Sequence, residues 1–339
     1  MVIIDGSVGE GGGQILRTSL ALSLCLGIPF KITNIRANRK KPGLRRQHLV
    51  CVNAAAQIGK AKVQGAKPGH QELTFIPADI APGHYHFDIG TAGSTTLVLQ
   101  TILPALMTAK GPSTLIIEGG THNPFAPSFD FIQRVFIPVI NSMGPKINAQ
   151  LERPGYYPKG GGRLNITIQP AKKLRAFHIN QRGKINECNA KAVVAGLPRH
   201  IAERELGVIE QKLGWDKECL QVIEQPADMG PGNIVYIEIK SEHITEIFTG
   251  FGKKGVRAED VAKIAANAAI RYLEAGVSVG KYLADQLLLP LALSGSGSYT
   301  TLKPTLHTRT NSYVIKLFLD IKITTNQTSN DVWSISTSR

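Results

Sequence analysis

The residues of this chain best suited to chemistry lie between Gly280 and Asn311, GKYLADQLLLPLALSGSGSYTTLKPTLHTRTN, where an Asp-Gln helix, a glycine-rich turn and a histidine follow one another. Tyr282, Asp285 and Gln286 fall on a short amphipathic run, and Tyr282 and Asp285, three apart, share a helix face. Hydrogen bonds from Asp285 and Gln286, with stacking on Tyr282, would suit a nucleotide. Pro304 breaks the following strand and leaves His307 in a polar, threonine-rich loop. With a reference pKa of about 6.5, an imidazole there is largely neutral near physiological pH and can attack phosphorus without first losing a proton. The bland alternative is a solvated loop histidine; the chain has nine histidines, and spacing alone does not separate the two readings.

A second cluster opens the chain. Glu10, set among the glycines of GEGGG just before a helix carrying Arg17, is placed to hold a divalent cation beside phosphates, because hard cations prefer oxygen ligands. Otherwise it is an exposed turn residue. No G-x-x-x-x-G-K-[ST] occurs, and GEGGG fails the G-x-G-x-x-G pattern, which disfavours a P-loop NTPase or a dinucleotide dehydrogenase. The segment Arg36 to Arg46, RANRKKPGLRR, holds six Lys or Arg and no acid. Its natural partner is a polyanion, and its bland reading is a solvated loop. A helix beginning after Pro42-Gly43 would put Arg45, Arg46 and His48 in its first turns, where backbone amides also favour an anion. The net charge of +14 agrees, and only 6% of residues are aromatic, which favours contact with backbone phosphates over base readout.

The elements that must position these residues alternate. Strands are expected at Val2 to Ile4 and Phe30 to Ile35, with helices at Gln14 to Leu26 and Leu44 to Ile58 and short strands near Lys62, Glu72 and Tyr85. The pattern recurs with helices at Ser94 to Thr108 and Asp130 to Met143 and strands at Leu115, Lys146 and Arg163, so internal duplication is plausible. From about Gly183 to Ala275 a separate α/β pattern reads as an insertion, and a hairpin from Ile321 to Ser336 precedes a frayed terminus. The fold class is therefore α/β or α+β, with a large domain over residues 1–182 and 276–339 and a smaller inserted domain over 183–275. No stretch of eighteen apolar residues and no signal-like N-terminus is present, giving a cytoplasmic location and no membrane partner as the expectation. Cys25, Cys51, Cys188 and Cys219 form no C-x-x-C pair, which argues against zinc or redox chemistry.

Taken together, several blocks give a resemblance. GEGGGQILR (Gly9 to Arg17), RANRKKPGLRRQH (Arg36 to His48), GSTTLVLQT (Gly93 to Thr101), GGTHNP (Gly119 to Pro124), YYPKGGG (Tyr156 to Gly162), GLPRHIAERE (Gly196 to Glu205), GPGN (Gly230 to Asn233) and YLADQLLLPLAL (Tyr282 to Leu293) occur in this order. Jointly they make the chain similar to the RNA 3'-terminal phosphate cyclase family over nearly its whole length. The resemblance implies three repeated units like the C-terminal domain of translation initiation factor three, plus a small inserted domain. It further implies conversion of an RNA 3'-phosphate end to a 2',3'-cyclic phosphate with ATP and Mg or Mn, through a covalent histidine-AMP. His307 matches that nucleophile. By the same likeness Gln100 and the run Tyr282, Leu283, Ala284, Asp285 and Gln286 bind ATP, Glu10 lies near the metal and phosphates, and Pro127, with Phe248 or Phe251, lines the adenine pocket. Arg17, Arg36, Arg39 and Arg46 are candidates for holding the RNA phosphate, since a guanidinium fork suits two phosphate oxygens, or for steering RNA inward. The oligomeric state stays open, a homodimer among the options.

Two rivals belong to other classes. A noncatalytic RNA-binding relative would lack the nucleophile, whereas His307 and its surrounding block are present. A carboxyvinyl transferase shares repeated architecture but needs no nucleotidyl intermediate, so ATP dependence separates it. One departure from the family pattern is Thr308-Arg309, polar and basic where an apolar pair is expected.

Overall fold

The computed structural model describes residues 1–339. Strands form where apolar and polar residues alternate, as in Ser113–Gly119, whose every second side chain is buried. The first unit runs β1 (Val2–Asp5), α1 (Gly13–Leu26), β2 (Phe30–Thr33), α2 (Arg46–Ile58), β3 (Lys62–Gln64) and β4 (Leu73–Ile76). The second runs β5 (His84–Asp88), α3 (Thr95–Leu106), β6 (Ser113–Gly119), α4 (Phe129–Phe131), a π-helical segment (Ile132–Phe136), α5 (Ile137–Ser142), β7 (Lys146–Arg153) and β8 (Gly162–Gln169). Their sheets have equivalent orders, β1-β2-β4-β3 and β5-β6-β8-β7, each with one parallel pair followed by two antiparallel pairs.

A third unit repeats this pattern in interrupted form. It begins at β9 (His178–Ile179) and resumes only after residue 280. Between them lie β10 (Ile185–Ala195), α6 (His200–Leu213), β11 (Leu220–Gln225), β12 (Gly232–Ser241), β13 (Thr245–Phe251) and α7 (Ala258–Ala275), which form their own sheet, β11-β10-β12-β13. The returning elements are α8 (Lys281–Ser294), β14 (Ser296–Thr301), α9 (Leu306–Phe318), β15 (Lys322–Gln327) and β16 (Trp333–Ser338). They complete a sheet in the order β9-β14-β16-β15, again parallel, antiparallel, antiparallel. The architecture is thus α+β, built of four small mixed sheets and no closed barrel. One apolar cluster joins the three repeated units, and a smaller one fills residues 190–277. No helix is long and apolar enough to cross a membrane.

Helices from the repeated units pack on one another, α1 against α2, α3 and α9, and α8 against α9. From Ile15 to Leu24 α1 is buried except at Arg17. Each large aliphatic side chain so buried contributes about 1.5–3 kcal/mol, enough to fix where the helix starts. Two expectations change. The segment around His307 is the start of a helix, because Thr305 caps α9 and exchanges hydrogen bonds with Thr308 in a capping box. The terminus is not frayed either: β16 pairs as far as Ser338, and Arg339 N–H donates to Gly295 O at 3.1 Å. All four cysteines are free.

Candidate active site

His307 sits in the first turn of α9, one residue after the exposed Leu306. Its Nδ1–H donates to Gln14 Oε1, and the other end of that amide donates to His307 O at 3.5 Å, which fixes which way Gln14 points. With the proton on Nδ1, Nε2 carries the free lone pair, and no protein group bonds it. Partial desolvation and the nearby guanidinium groups of Arg17 and Arg39 lower the pKa of His307, against the opposing pull of Asp285. The positive end of α9 acts in the same direction. The ring is therefore neutral and nucleophilic near pH 7.

Asp285 anchors this helix. Its carboxylate accepts from Thr308 Oγ at 2.5 Å and Thr305 Oγ at 3.0 Å, and its backbone oxygen accepts from Asn311 Nδ2 at 3.0 Å. Burial raises its pKa to about 6. Asp285 thus ties α8 to the cap of the helix that bears the histidine.

The GEGGG turn forms the floor. Glu10 N–H donates to Thr310 Oγ at 3.0 Å, joining the turn to α9. A Cβ on Gly12 would collide with the Glu10 carboxylate and Arg39, and one on Gly13 with His48 Nε2 and Arg17. Glycine at these two positions is what lets four charged or polar side chains meet over α1. The N-terminus of α1 has no side-chain cap and no acid in its first turn, so its amides remain available to an anion. Arg17 makes no ion pair, while Arg39 pairs with Glu10. His48 is held neutral: burial, then Arg17, Arg36 and Arg45, push its pKa down to about 3.

The remaining candidates divide. Gln100 on α3 donates to Gln286 on α8, bringing two of them together, and Thr96, one turn before Gln100, donates to Pro127 O at 2.8 Å. Tyr282 is 56% exposed, leaving ring area for a base, with Lys281 Nζ 4.6 Å from its centroid. Leu283 and Ala284 are buried, and Ala284 O accepts from Tyr299 OH at 2.7 Å, so both serve the helix's seat. Phe248 is buried against Tyr272 in the core of residues 190–277, and Phe251 is half-buried. Arg36, with φ of 57°, donates to Lys41 O and Gly43 O and holds its own loop. Arg46 is exposed and lies against Gly90.

Sequence reasoning passed over Gln14, Thr305, Thr310 and Glu246. The last, from β13, accepts the N–H of Gly280 at the cap of α8 at 2.5 Å, and burial raises it to about 8. A polar Gln just before the apolar run of α1 was the available signal for Gln14.

Glu10 also bears on a metal. Its side chain is only 9% exposed, one oxygen pairs with Arg39, and Oε2 is buried without a partner. An orphaned anionic oxygen suits Mg or Mn. No cluster of three His, Cys, Asp or Glu surrounds it, so a cation held there would take most of its shell from water and substrate phosphates.

Comparison with known proteins agrees in sequence. The family described as RNA 3'-terminal phosphate cyclase matches residues 8–325. The RNA 3'-terminal phosphate cyclase of Koribacter versatilis (strain Ellin345) is 51% identical over 330 residues, covering 97% of this chain and 93% of that protein. That of Ectopseudomonas mendocina (strain ymp) is 46% identical over 329 residues, covering 97% and 96%. The enolpyruvyl transferase NikO from Streptomyces tendae superposes with a TM-score of 0.38 at 11% identity, over 96% of this chain and 46% of that one, too loosely to bear on fold or activity. Matched along almost its entire length and about half identical to such relatives, the chain belongs to the RNA 3'-terminal phosphate cyclase family.

Proposed function

We propose that this protein is an enzyme that converts an RNA 3'-terminal phosphate to a 2',3'-cyclic phosphate at the expense of ATP, by way of AMP carried on His307. The observation that carries the reading is the unpartnered Nε2 of a neutral His307 beside Arg17 and two helix N-termini. Nε2 attacks the α-phosphorus of ATP; the N–P bond forms as the bond to the bridging oxygen breaks and pyrophosphate leaves. Gln14 keeps the Nδ1 proton in place as the ring becomes positive. Arg17 and the α1 amides stabilise charge on the phosphates. Glu10 Oε2 would hold Mg or Mn, which when bound neutralises charge on the departing pyrophosphate.

An oxygen of the RNA 3'-phosphate next attacks the same phosphorus, freeing His307 and leaving the RNA end joined to AMP. The neighbouring 2'-hydroxyl then attacks the terminal RNA phosphorus, AMP departs, and the hydroxyl proton passes to solvent. Proximity within one ribose favours this last step, and its need for a 2'-hydroxyl restricts the reaction to RNA. Tyr282, Gln100 and Gln286 form the side on which the adenosine of ATP rests.

The test is incubation of wild type and His307→Ala with ATP labelled at the α-phosphate and Mg or Mn, then denaturing separation. Acid-labile, alkali-stable label on wild type alone is expected. Cyclisation of RNA 3'-phosphate by His307→Ala, or absence of label from active wild type, would refute the histidine-AMP route.

A further inference from the structure

The YYPKGGG segment, given no role in the steps above, forms one wall of a cleft of about 320 Å³ that His307 does not line. The cleft is lined by Asp88, Thr91, Glu118, Arg153, Lys159 and Arg163 and by glycine backbone, with no apolar side chain. We propose that this cleft holds the ribose-phosphate backbone of the RNA strand 5' of its terminal dinucleotide. The proposal rests on the RNA-end reading above.

Its composition selects the occupant. With no apolar or aromatic side chain, the cleft offers a lipid tail nothing and a base only guanidinium planes to stack on. Three cations suit phosphodiesters, and two carboxylates would repel a bare polyanion but accept hydrogen bonds from 2'-hydroxyls. The carboxylates are already oriented: Asp88 Oδ1 accepts from Gly90 N–H at 2.6 Å, and Glu118 Oε1 pairs with Arg163 at 2.6 Å and lies 3.4 Å from His86. Arg163 is held on its other side by Glu152 at 2.6 Å. The other two cations are lightly committed. Arg153 meets Asp228 at 3.0 Å with both side chains well exposed, and Lys159 donates to Asp228 O at 2.6 Å. Surface contacts of that kind are worth little and exchange readily for a phosphate.

Position selects the direction. Arg46 at the start of α2 lies against Gly90, which lines the cleft, while His48, two residues on, lies over Gly13 beside Arg17. The first turn of α2 therefore touches both the cleft and the candidate nucleophile's surroundings. Gln47 between them accepts from Ser94 N–H at 2.8 Å and locks that turn to the second unit. A strand whose 3'-phosphate reaches Arg17 is led past Arg46 into the cleft.

The experiment compares wild type with Arg153→Ala/Lys159→Ala, using fluorescence anisotropy on a dinucleotide and on an RNA of about ten nucleotides, within the range one protein site covers, both ending in a 3'-phosphate. Wild type should bind the longer RNA more tightly. The variant should lose about tenfold for the longer RNA at low salt, with a shallower salt dependence, as expected when about two phosphate contacts are removed. Dinucleotide affinity and self-labelling from ATP should be unchanged, which also reports an intact fold. Unchanged affinity for the longer RNA in the variant would overturn the cleft assignment. Failure of wild type to bind either RNA would instead overturn the RNA-end reading. A strand with deoxyribose at all but its terminal nucleotide should bind more weakly than RNA; equal affinity would overturn the part assigned to Asp88 and Glu118.

Discussion

Two histidines in this molecule have a fixed ring and an acid nearby, and only one of them keeps a nitrogen free. His122, in the GGTHNP block, is 5% exposed and uses both nitrogens: Nδ1 meets Thr121 Oγ at 2.7 Å and Nε2 meets Asp130 at 2.9 Å. Its ring stacks on Tyr156 with centroids 5.2 Å apart. Asp130 goes on to Arg134 at 2.5 Å, and Arg134 reaches Glu238 at 2.5 Å and Tyr236 OH at 2.7 Å on β12. That chain fastens the repeated units to the β10–β13 sheet. His307 spends one nitrogen on Gln14 and keeps the other free. On the proposed route a His-Asp contact is a poor mark of the nucleophile, and the unspent lone pair is the better one.

The comparison breaks most sharply if the two sites are exchanged in effect. His307→Ala should lower self-adenylylation by about a thousandfold or more, the scale of removing a covalent nucleophile, and leave the midpoint of thermal unfolding nearly unchanged, since the side chain is exposed. Asp130→Ala should do the reverse. It leaves Arg134 and His122 without their shared acid, at a cost of about 3 kcal/mol, measurable by urea unfolding, while labelling persists below the transition. The hydrogen bond and charge of His122, with Arg134, outweigh burial and hold Asp130 well below the usual carboxylate range. Such a group contributes stability above an unfolded pKa of about 3.9 and loses it as pH falls below that value. Wild type should therefore weaken in acid more than Asp130→Ala does. A labelling defect in Asp130→Ala at full folding would end the division between the two sites.

A smaller effect sharpens the account of His307. Gln14→Ala should slow self-adenylylation by about 10- to 100-fold, the scale on which losing the partner that orients a metal-bound imidazole is felt. Gln14→Glu, which retains the acceptor oxygen, should recover much of the rate. Thermal midpoint serves as the control: an equal loss in both variants, with a lowered midpoint, would reduce Gln14 to a packing residue.

How far this arrangement was legible depends on what kind of signal each part leaves. The repeated units showed as alternation, and the period-2 burial of β6 and the apolar length of α1 made those elements readable. The start of α9 was not, because its buried face opens with Thr308, Thr310 and Asn311, which look like a loop. Those residues are buried because they bond Asp285, Glu10 and Thr18, contacts that span up to 300 positions and leave no local pattern. Strand β13 hid for a related reason: Glu246 interrupts its apolar run, yet it is buried because it caps α8. His307 was singled out by its residue type and polar setting, and its proposed role came from family likeness. Its tautomer became visible only once Gln14 lay against it.

The smallest predicted effect concerns pH. Self-adenylylation at saturating ATP should rise with pH as the His307–Asp285 pair loses its proton and then level off, the limb lying below the ordinary histidine value of about 6.5. The direction follows from desolvation and from Arg17 and Arg39, which disfavour the imidazolium, with Asp285 opposing. Arg39→Ala removes a cation and frees the Glu10 carboxylate, both of which favour the charged ring, so the limb should move up. Asp285→Asn removes the opposing anion while its amide oxygen can still accept from Thr308, so the limb should move down. Rapid-quench labelling between pH 5 and 8 reads all three proteins. Coincident limbs would mean that the titrating group is not His307, and the free nitrogen would then lose its claim to be what distinguishes this site from His122.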